Sequence, residues 1–393
     1  MHIVLYEDYY YNLFFPLIGF HPIFDLYAGF SRIYEKIFQL SKILKHIEGI
    51  SFIARKNQLN YFLLKNKFEN SVYDFSEDVL FINSRLVDIE KLLTLQKNEA
   101  LVDASNEILA IRADKQIISK ITPKALFDHM NDKLILSLCS NVNQADSIKY
   151  LFQIISKQDK FFDIDLFLFK NKLHSEFKKI NHNLYIHPDA KINKYSSIDP
   201  GNGIIIIDKD AQINPFTEIR GSSYIGKNSI LDRAYVHDFT TIGSNCKISG
   251  EIENTIISDY TNKHHTGFFG HSYLGEWVNI GAMTTTSDLK NNYSTIRFNY
   301  RSSTVDSNEI KMGSLFGDHV KLAIGLMINC GTIIGECSVL FSNPKSKTIP
   351  PATWDETKQY DYHHLIDNIK KVMKRRNIEP DKSYLDLIDE LYD

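Results

Sequence analysis

From Ile186 onward an aliphatic residue returns every six positions: Ile186, Ile192, Ile198 and Ile204, then after a three-residue slip Ile207, Ile213, Ile219 and Ile225. A five-residue step leads to Ile230, Val236, Ile242 and Ile248, and the period resumes in Leu274 and Ile280 and again in Leu322, Ile328, Ile334 and Leu340. An antiparallel sandwich would alternate with period two, so it does not fit. A fixed short period marks a solenoid, in which no strand can bury its apolar side chain alone and stacking coils create the core. Six residues per face and three faces per coil describe a triangular β-helix. Glycine often follows the aliphatic residue, as in Ile242-Gly243 and Ile280-Gly281, where a tight corner favours a residue without a side chain.

The earlier part of the chain is patterned differently. Short apolar runs such as Ile3–Leu5 and Val79–Ile82 alternate with helix-like stretches such as Ser31–Lys45, which predicts an α/β domain. A lysine-rich helical segment, Leu166–Ile180, leads to Asn181-His182-Asn183, which reads as a hinge. Residues 288 to 312 interrupt the repeat with a polar stretch, predicting a loop that leaves the solenoid, and loops on rigid scaffolds often carry function. Beyond Pro350-Pro351, Leu365, Ile369, Val372 and Met373 share one face of a helical tail whose basic end, Lys370 to Arg376, complements the helix dipole. The expected organisation is an α/β domain over 1–182, a β-helix over 183–350 and a helical tail over 351–393.

Glycine supports the division: 3 of 18 precede residue 200 and the other 15 fall between Gly201 and Gly335. Charge is nearly balanced, 45 basic against 48 acidic residues in a chain of 393, which argues against a nucleic-acid or anionic-membrane partner. Cys139, Cys246, Cys330 and Cys337 have neither zinc-knuckle nor CxxC spacing, so a reducing compartment is expected. The start lacks a basic region before an apolar run, and no stretch reaches the roughly 18 apolar residues of a spanning helix. A cytoplasmic protein is the expectation.

Chemistry concentrates between Asn262 and Gly275, where His264, His265 and His271 account for three of fourteen histidines within eight residues. Acyl transfer from a thioester to an amine needs a base and a donor for the developing oxyanion, and histidine is the usual base. Two other uses of the cluster stand beside that one: histidines capping a distorted turn, and a zinc triad of His237, His265 and His271 meeting across coils.

His271-Ser272-Tyr273-Leu274-Gly275, followed by Val278-Asn279-Ile280-Gly281-Ala282-Met283-Thr284, resembles the acetyltransferase half of the bifunctional UDP-N-acetylglucosamine pyrophosphorylase/glucosamine-1-phosphate N-acetyltransferases. There a His-x-(Ser/Thr)-Tyr-Leu-Gly element precedes Asn-Ile-Gly-Ala-Gly-Thr, and the likeness runs on into Gly317-Asp318-His319-Val320. The divergent bacterial form of that family, grouped as sugar nucleotidyltransferases, is closer still: Lys263 to Gly275 and Thr284 to Lys290 follow its pattern. Asn83-Ser84-Arg85-Leu86, Glu99 to Val102, Ile349-Pro350-Pro351 and Val372 to Arg376 extend the resemblance over most of the chain.

The resemblance implies a left-handed parallel β-helix that forms a homotrimer, binding acetyl-CoA between neighbouring solenoids with a sugar phosphate beside it. Carried over residue by residue, it makes His271, ahead of His265, the base. Tyr273 and Asn279 become substrate contacts, and Lys263 and Lys290 become cations for phosphate or CoA. Asn279 is equally an asparagine-ladder position. In the first domain the glycine-rich nucleotide loop is missing after Ile3-Val4-Leu5, and His21 and Tyr27 stand where the divergent family has arginines. Arg32 and Arg85 remain as phosphate contacts, and Asp25 either holds Mg2+ or caps a nearby helix. The implied function is acetyl transfer to an amino-sugar phosphate or nucleotide sugar, beside a degenerate nucleotidyltransferase domain. The alternatives are an active nucleotidyltransferase using UTP or dTTP, with Mg2+, and a non-catalytic trimeric assembly protein.

Overall fold

The computed structural model describes residues 1–44, 46–70, 78–300, 303–356 and 358–392. They form two compact units. The first comprises Met1–Phe14, Phe20–Leu26 and Ser31–Leu151, and the second Phe15–Gly19, Tyr27–Phe30 and Phe152–Asp393.

The first unit is built on a six-stranded sheet in the order Gly49–Ile53, His2–Tyr6, Val79–Asn83, Ile108–Ala113, Glu99–Val102 and Asn141–Gln144. His2–Tyr6 lies parallel to both its neighbours, and Ile3, Val4, Leu5 and Tyr6 are fully buried. A strand covered on both faces needs such an unbroken apolar run. The helix expected from Ser31 spans Ile33–Ile43 and buries Ile33, Ile37 and Leu40 at successive turns, while Lys45 lies outside the described residues. Phe24, Phe52 and Phe62 pack with ring centroids 4.9 to 5.3 Å apart.

In the second unit parallel ladders stack the strands into the triangular coils of a left-handed β-helix. One face alone is a ten-stranded sheet. Ile207, Ile213, Ile219, Ile225, Val236, Ile242 and Ile248 are fully buried in one core. The sequence misplaces one step: Leu231, not Ile230, points inward, and the short step lies between Leu231 and Val236, where the ladder register shifts. The first coil has no coil beneath it, which leaves Ile186 and Ile198 partly covered and Ile192 40% exposed.

The pattern break near 182 is not a break in packing. The helix Gln158–Glu176 belongs to the second unit and buries Phe161, Phe162, Leu168 and Phe169. Its Gln158 Oε1 accepts from Gly29 N (2.7 Å) and its Asp165 Oδ2 from Phe30 N (2.8 Å), while the Gly29 carbonyl accepts from Thr241 Oγ1 of the solenoid (2.8 Å). Gly29 has φ +73°, and a Cβ there would stand 2.5 Å from Asp165 Oδ2, so only glycine makes this joint.

The excursion over 288–312 contains an antiparallel pairing of Arg297–Tyr300 with Ser303–Asp306, and its Phe298 stacks on Phe152 at 5.1 Å. The tail is two helices, Tyr362–Lys374 and Lys382–Asp389, with Asp361 and Asp381 as N-caps. Leu365, Ile369 and Met373 are buried as expected, whereas Val372 is not. Among the described residues no helix is long and apolar enough to cross a membrane.

Candidate active site

His271 follows the strand Phe268–Gly270 and turns the solenoid corner at φ +48°. Its backbone is fixed from both sides: His271 N donates to the Glu253 carbonyl of the preceding coil, and Gly313 N, where the excursion returns, donates to the His271 carbonyl, both at 2.9 Å. The ring is 12% exposed and its Nδ1 lies 2.8 Å from Oδ2 of Asp288, itself 11% exposed. Burial works against the Asp288 charge, but the hydrogen bond and charge of His271 prevail and hold the carboxyl below its usual range. A carboxylate acceptor fixes the neutral tautomer with the proton on Nδ1 and leaves the Nε2 lone pair for a proton from elsewhere.

Glu253 completes the group from the coil below, with donor atoms of Glu253, His271 and Asp288 all within 4.8 Å of one another. Glu253 is already matched: Lys311 Nζ donates to its Oε1 at 2.9 Å, a bond that raises the lysine above its ordinary value. A cavity of about 400 Å3 opens here, lined by Asn254, His271, Tyr293, Glu309, Lys311 and Met312 among others. Asn254 Oδ1 is buried with no hydrogen-bond partner among the described residues, an acceptor awaiting an N–H or O–H. The arrangement offers a base, an oriented carboxylate behind it, an ammonium and a spare acceptor around one void.

Several residues named by the sequence lie elsewhere. His265 is exposed, and the nearest ring is His264 at 6.0 Å. The zinc triad does not assemble: His237 Nδ1 lies 3.0 Å from Asp238 and Nε2 3.5 Å from Glu251. Among the described residues the group whose donors could share an ion is Glu253, His271 and Asp288.

Lys263 is not a phosphate contact. It pairs in register with Ile248, is 1% exposed, and points into the solenoid, where its Nζ donates to the carbonyls of Ser249 (2.7 Å) and His265 (3.0 Å). Burial pushes this ammonium down to about 7. Tyr273 is also withdrawn, fully buried with its hydroxyl donating to the Tyr27 carbonyl at 3.0 Å. Asn279 is exposed and takes the ladder role, its Oδ1 accepting from Asn262 Nδ2 at 2.9 Å. Lys290 donates to the Thr295 carbonyl within the excursion.

The first unit's candidates are committed to internal ion pairs. Arg85 is fully buried; its Nε donates to Asp8 Oδ2 at 2.6 Å, its Nη2 to Glu107 at 3.2 Å, and its guanidinium lies over Tyr10. His129 joins the same network through Asp8 (3.0 Å) and Asp132 (2.7 Å); burial opposes its charge, but the two carboxylates push it up to about 9. Arg32 Nη1 donates to both the carbonyl and the Oδ1 of Asp25. Asp25 also meets His21 Nδ1 at 2.7 Å and Lys65 at 3.8 Å. A carboxylate ringed by three basic side chains does not fit a magnesium ligand, and the helix at Ile33 is closed by Glu35 on the Arg32 N–H instead of by Asp25.

Glu253, Asn254, Asp288 and Lys311 are the site residues that the sequence reading missed. A signal exists for Asp288: it follows His271 by 17 residues, the interval at which Asn262 meets Asn279 on adjacent coils.

Residues 3–173 match the family model of sugar nucleotidyl transferases. The chain is 22% identical over 350 residues to the bifunctional protein GlmU of Wigglesworthia glossinidia brevipalpis, a match spanning 83% of this chain and 66% of that one, just under two thirds of its length. It is 27% identical over 322 residues to the bifunctional sugar-1-phosphate nucleotidylyltransferase/acetyltransferase of Sulfurisphaera tokodaii, covering 74% and 79% of the two chains. Among solved structures, the acetyltransferase domain of PglB from Neisseria gonorrhoeae aligns at 10% identity over 88% of this chain and 95% of that chain. The two superpose with a TM-score of 0.22.

Proposed function

We propose that this chain, a divergent relative of the bifunctional GlmU proteins, transfers the acetyl group of acetyl-CoA to the amine of an amino-sugar phosphate of the glucosamine-1-phosphate type. It works as a homotrimer, beside a nucleotidyltransferase unit that has lost its own activity. The supporting observation is the His271 Nδ1 to Asp288 bond of 2.8 Å at the edge of a cavity that also holds an unmatched acceptor and an ammonium.

In the proposed step the acceptor nitrogen attacks the thioester carbon while Asn254 Oδ1 takes one of its N–H groups. Nε2 of His271 removes the proton that the forming C–N bond makes acidic, and Asp288 stabilises the imidazolium. The Lys311 ammonium faces the negative charge developing on the thioester oxygen. The C–S bond then breaks, and the leaving CoA thiolate recovers a proton from the imidazolium. Loss of nucleotidyl transfer is supported by Arg32 and Arg85, whose guanidiniums are engaged by Asp25, Asp8 and Glu107.

Thiol release from acetyl-CoA, measured against a panel of amino-sugar phosphates led by glucosamine-1-phosphate, tests this reading on the wild type and on His271→Ala and His265→Ala. Turnover lost in His271→Ala and kept in His265→Ala is the expected result. Loss in His265→Ala alone would move the base to the exposed turn. No turnover by the wild type, together with magnesium-dependent pyrophosphate release, would replace acyl transfer with nucleotidyl transfer.

A further inference from the structure

The walls of the His271 cavity divide by character. His271, Lys311 and the unmatched Asn254 acceptor line one part of it, while Tyr293 and Ile310 bring large apolar side chains to the same void. Tyr293 is 68% exposed and Ile310 53%, so much of the apolar surface beside the base is left uncovered. Other exposed aromatic residues cover one another: Tyr195 stacks on Phe216 at 6.2 Å, and Phe341 meets Trp354 at 5.0 Å. Among the described residues the Tyr293 ring stacks on no other ring and its hydroxyl makes no hydrogen bond. Uncovered apolar surface in a concave site marks a place for a ligand.

The excursion holds this ring by constraint. Tyr293 has φ +56°, a conformation that bulky residues seldom take. Solenoid corners impose it on Tyr260 and Trp277, but Tyr293 belongs to no coil. Its turn is closed on itself: Tyr293 N donates to the Lys290 carbonyl at 3.0 Å, Ser294 N to Asn292 Oδ1 at 3.1 Å, and Lys290 Nζ to the Thr295 carbonyl. At the foot of the excursion Leu289 bridges to Lys311, and Met312 N donates to the Asp288 carbonyl at 2.8 Å. One framework therefore carries both the ring and the carboxylate behind the base. Left-handed residues on such supports cluster at ligand clamps.

The cavity, about 400 Å3, lies toward the small end of ligand pockets, which run from about 300 to 1,000 Å3, and suits one ring better than an extended chain. A pyranose answers both kinds of wall. Its C–H bonds make one face apolar, and its hydroxyls and amine occupy the rim. An aromatic ring receives such a face through dispersion and through its negative π surface.

We propose that Tyr293 selects a pyranose as the acceptor, the sugar lying with one C–H face on the Tyr293 ring and its amine turned to Nε2 of His271. The fate of the amine rests on the acyl-transfer reading; the seating of the ring does not.

The test measures acceptor KM in thiol release, and calorimetric affinity for glucosamine-1-phosphate, on the full chain as wild type, Tyr293→Ala and Tyr293→Phe. Ethanolamine phosphate serves as a probe that keeps amine and phosphate but has no ring. Tyr293→Ala should weaken acceptor KM and Kd about tenfold or more, the loss of an aromatic contact. Because the contact is the same before and during reaction, kcat and the KM for acetyl-CoA should stay within about twofold. Tyr293→Phe, which keeps the ring, should restore the acceptor values, and ethanolamine phosphate should not distinguish Tyr293→Ala from wild type. Acceptor KM and Kd unchanged in Tyr293→Ala, an equal loss for ethanolamine phosphate, or no binding of glucosamine-1-phosphate by the wild type would overturn the platform. Sugar binding without thiol release, weakened in Tyr293→Ala, sinks acyl transfer and spares the platform. Turnover with acceptor KM unchanged in Tyr293→Ala does the reverse.

Discussion

Asp288 holds Nδ1 of His271 at 2.8 Å across 17 residues of chain. The pair is a product of coil stacking, which brings residues one coil apart onto the same corner. In the proposed reaction the carboxylate orients the base without touching the acceptor. His271→Ala should lower kcat by about 10²- to 10⁴-fold, the range for a general base. Asp288→Asn should lower it by about tenfold or more with little change in KM, because an amide no longer selects the tautomer with a free Nε2. Steady-state kinetics on the two variants check this, and wild-type kcat in Asp288→Asn would remove the orienting role.

The inward Lys263 makes stability depend on pH. Its folded pKa, about 7, lies below its ordinary 10.5, so the unfolded chain binds more protons between those values and the native state gains stability as pH rises from 7 to 10.5. Each unit of pH contributes at most about 1.4 kcal/mol. Lys263→Met places an apolar chain of similar length among Ile248 and its neighbours and should flatten that slope. Urea unfolding of both proteins across this range is the measurement, and parallel slopes would place the ammonium in water.

His129 acts in the opposite direction in the first unit. Its folded pKa is raised to about 9 from 6.5, so its contribution is complete below 6.5 and is lost as pH rises through 9. At full strength it amounts to up to about 3 kcal/mol at 1.36 kcal/mol per unit. His129→Gln should therefore cost stability at pH 6 and almost none at pH 10. NMR titration of the ring would check the pKa directly; a midpoint near 6.5 would contradict it.

Arg85→Met separates a structural arginine from a substrate ligand. Removing it leaves the buried Asp8 without its closest partner, at 2.6 Å, and breaking a buried pair in this way typically costs about 3–5 kcal/mol. Hydrogen exchange should accelerate in Val79–Asn83 and Ile108–Ala113. Unchanged exchange in both strands together with an unchanged unfolding midpoint would contradict the structural role.

The β-helix is legible in the sequence because each inward position repeats at six, and His271 draws attention by sitting in a histidine cluster. What escapes is side-chain direction. Ile230 and Leu231 are both apolar, and only the ladder shift before Ala234 decides which one enters the core. Lys263 reads as a surface cation because the chain carries no sign that its ammonium will be met by the Ser249 and His265 carbonyls. The fate of Arg85 depends on Asp8, 77 residues away and brought to it by the sheet. Asp288 lies between: applying the 17-residue interval to His271 finds it, once the coil length is known.

Because base and carboxylate come from successive turns of one thread, their separation is a matter of phase. A complete extra coil spliced in ahead of Glu253 would carry the whole site along the axis by one strand spacing, about 4.8 Å, with its chemistry intact. One residue added between Ser272 and Ser287 would put acid and base out of step. The scaffold can therefore lengthen or shorten in whole turns while keeping His271 against Asp288, which makes the solenoid a ruler on which the pair can be moved in discrete increments.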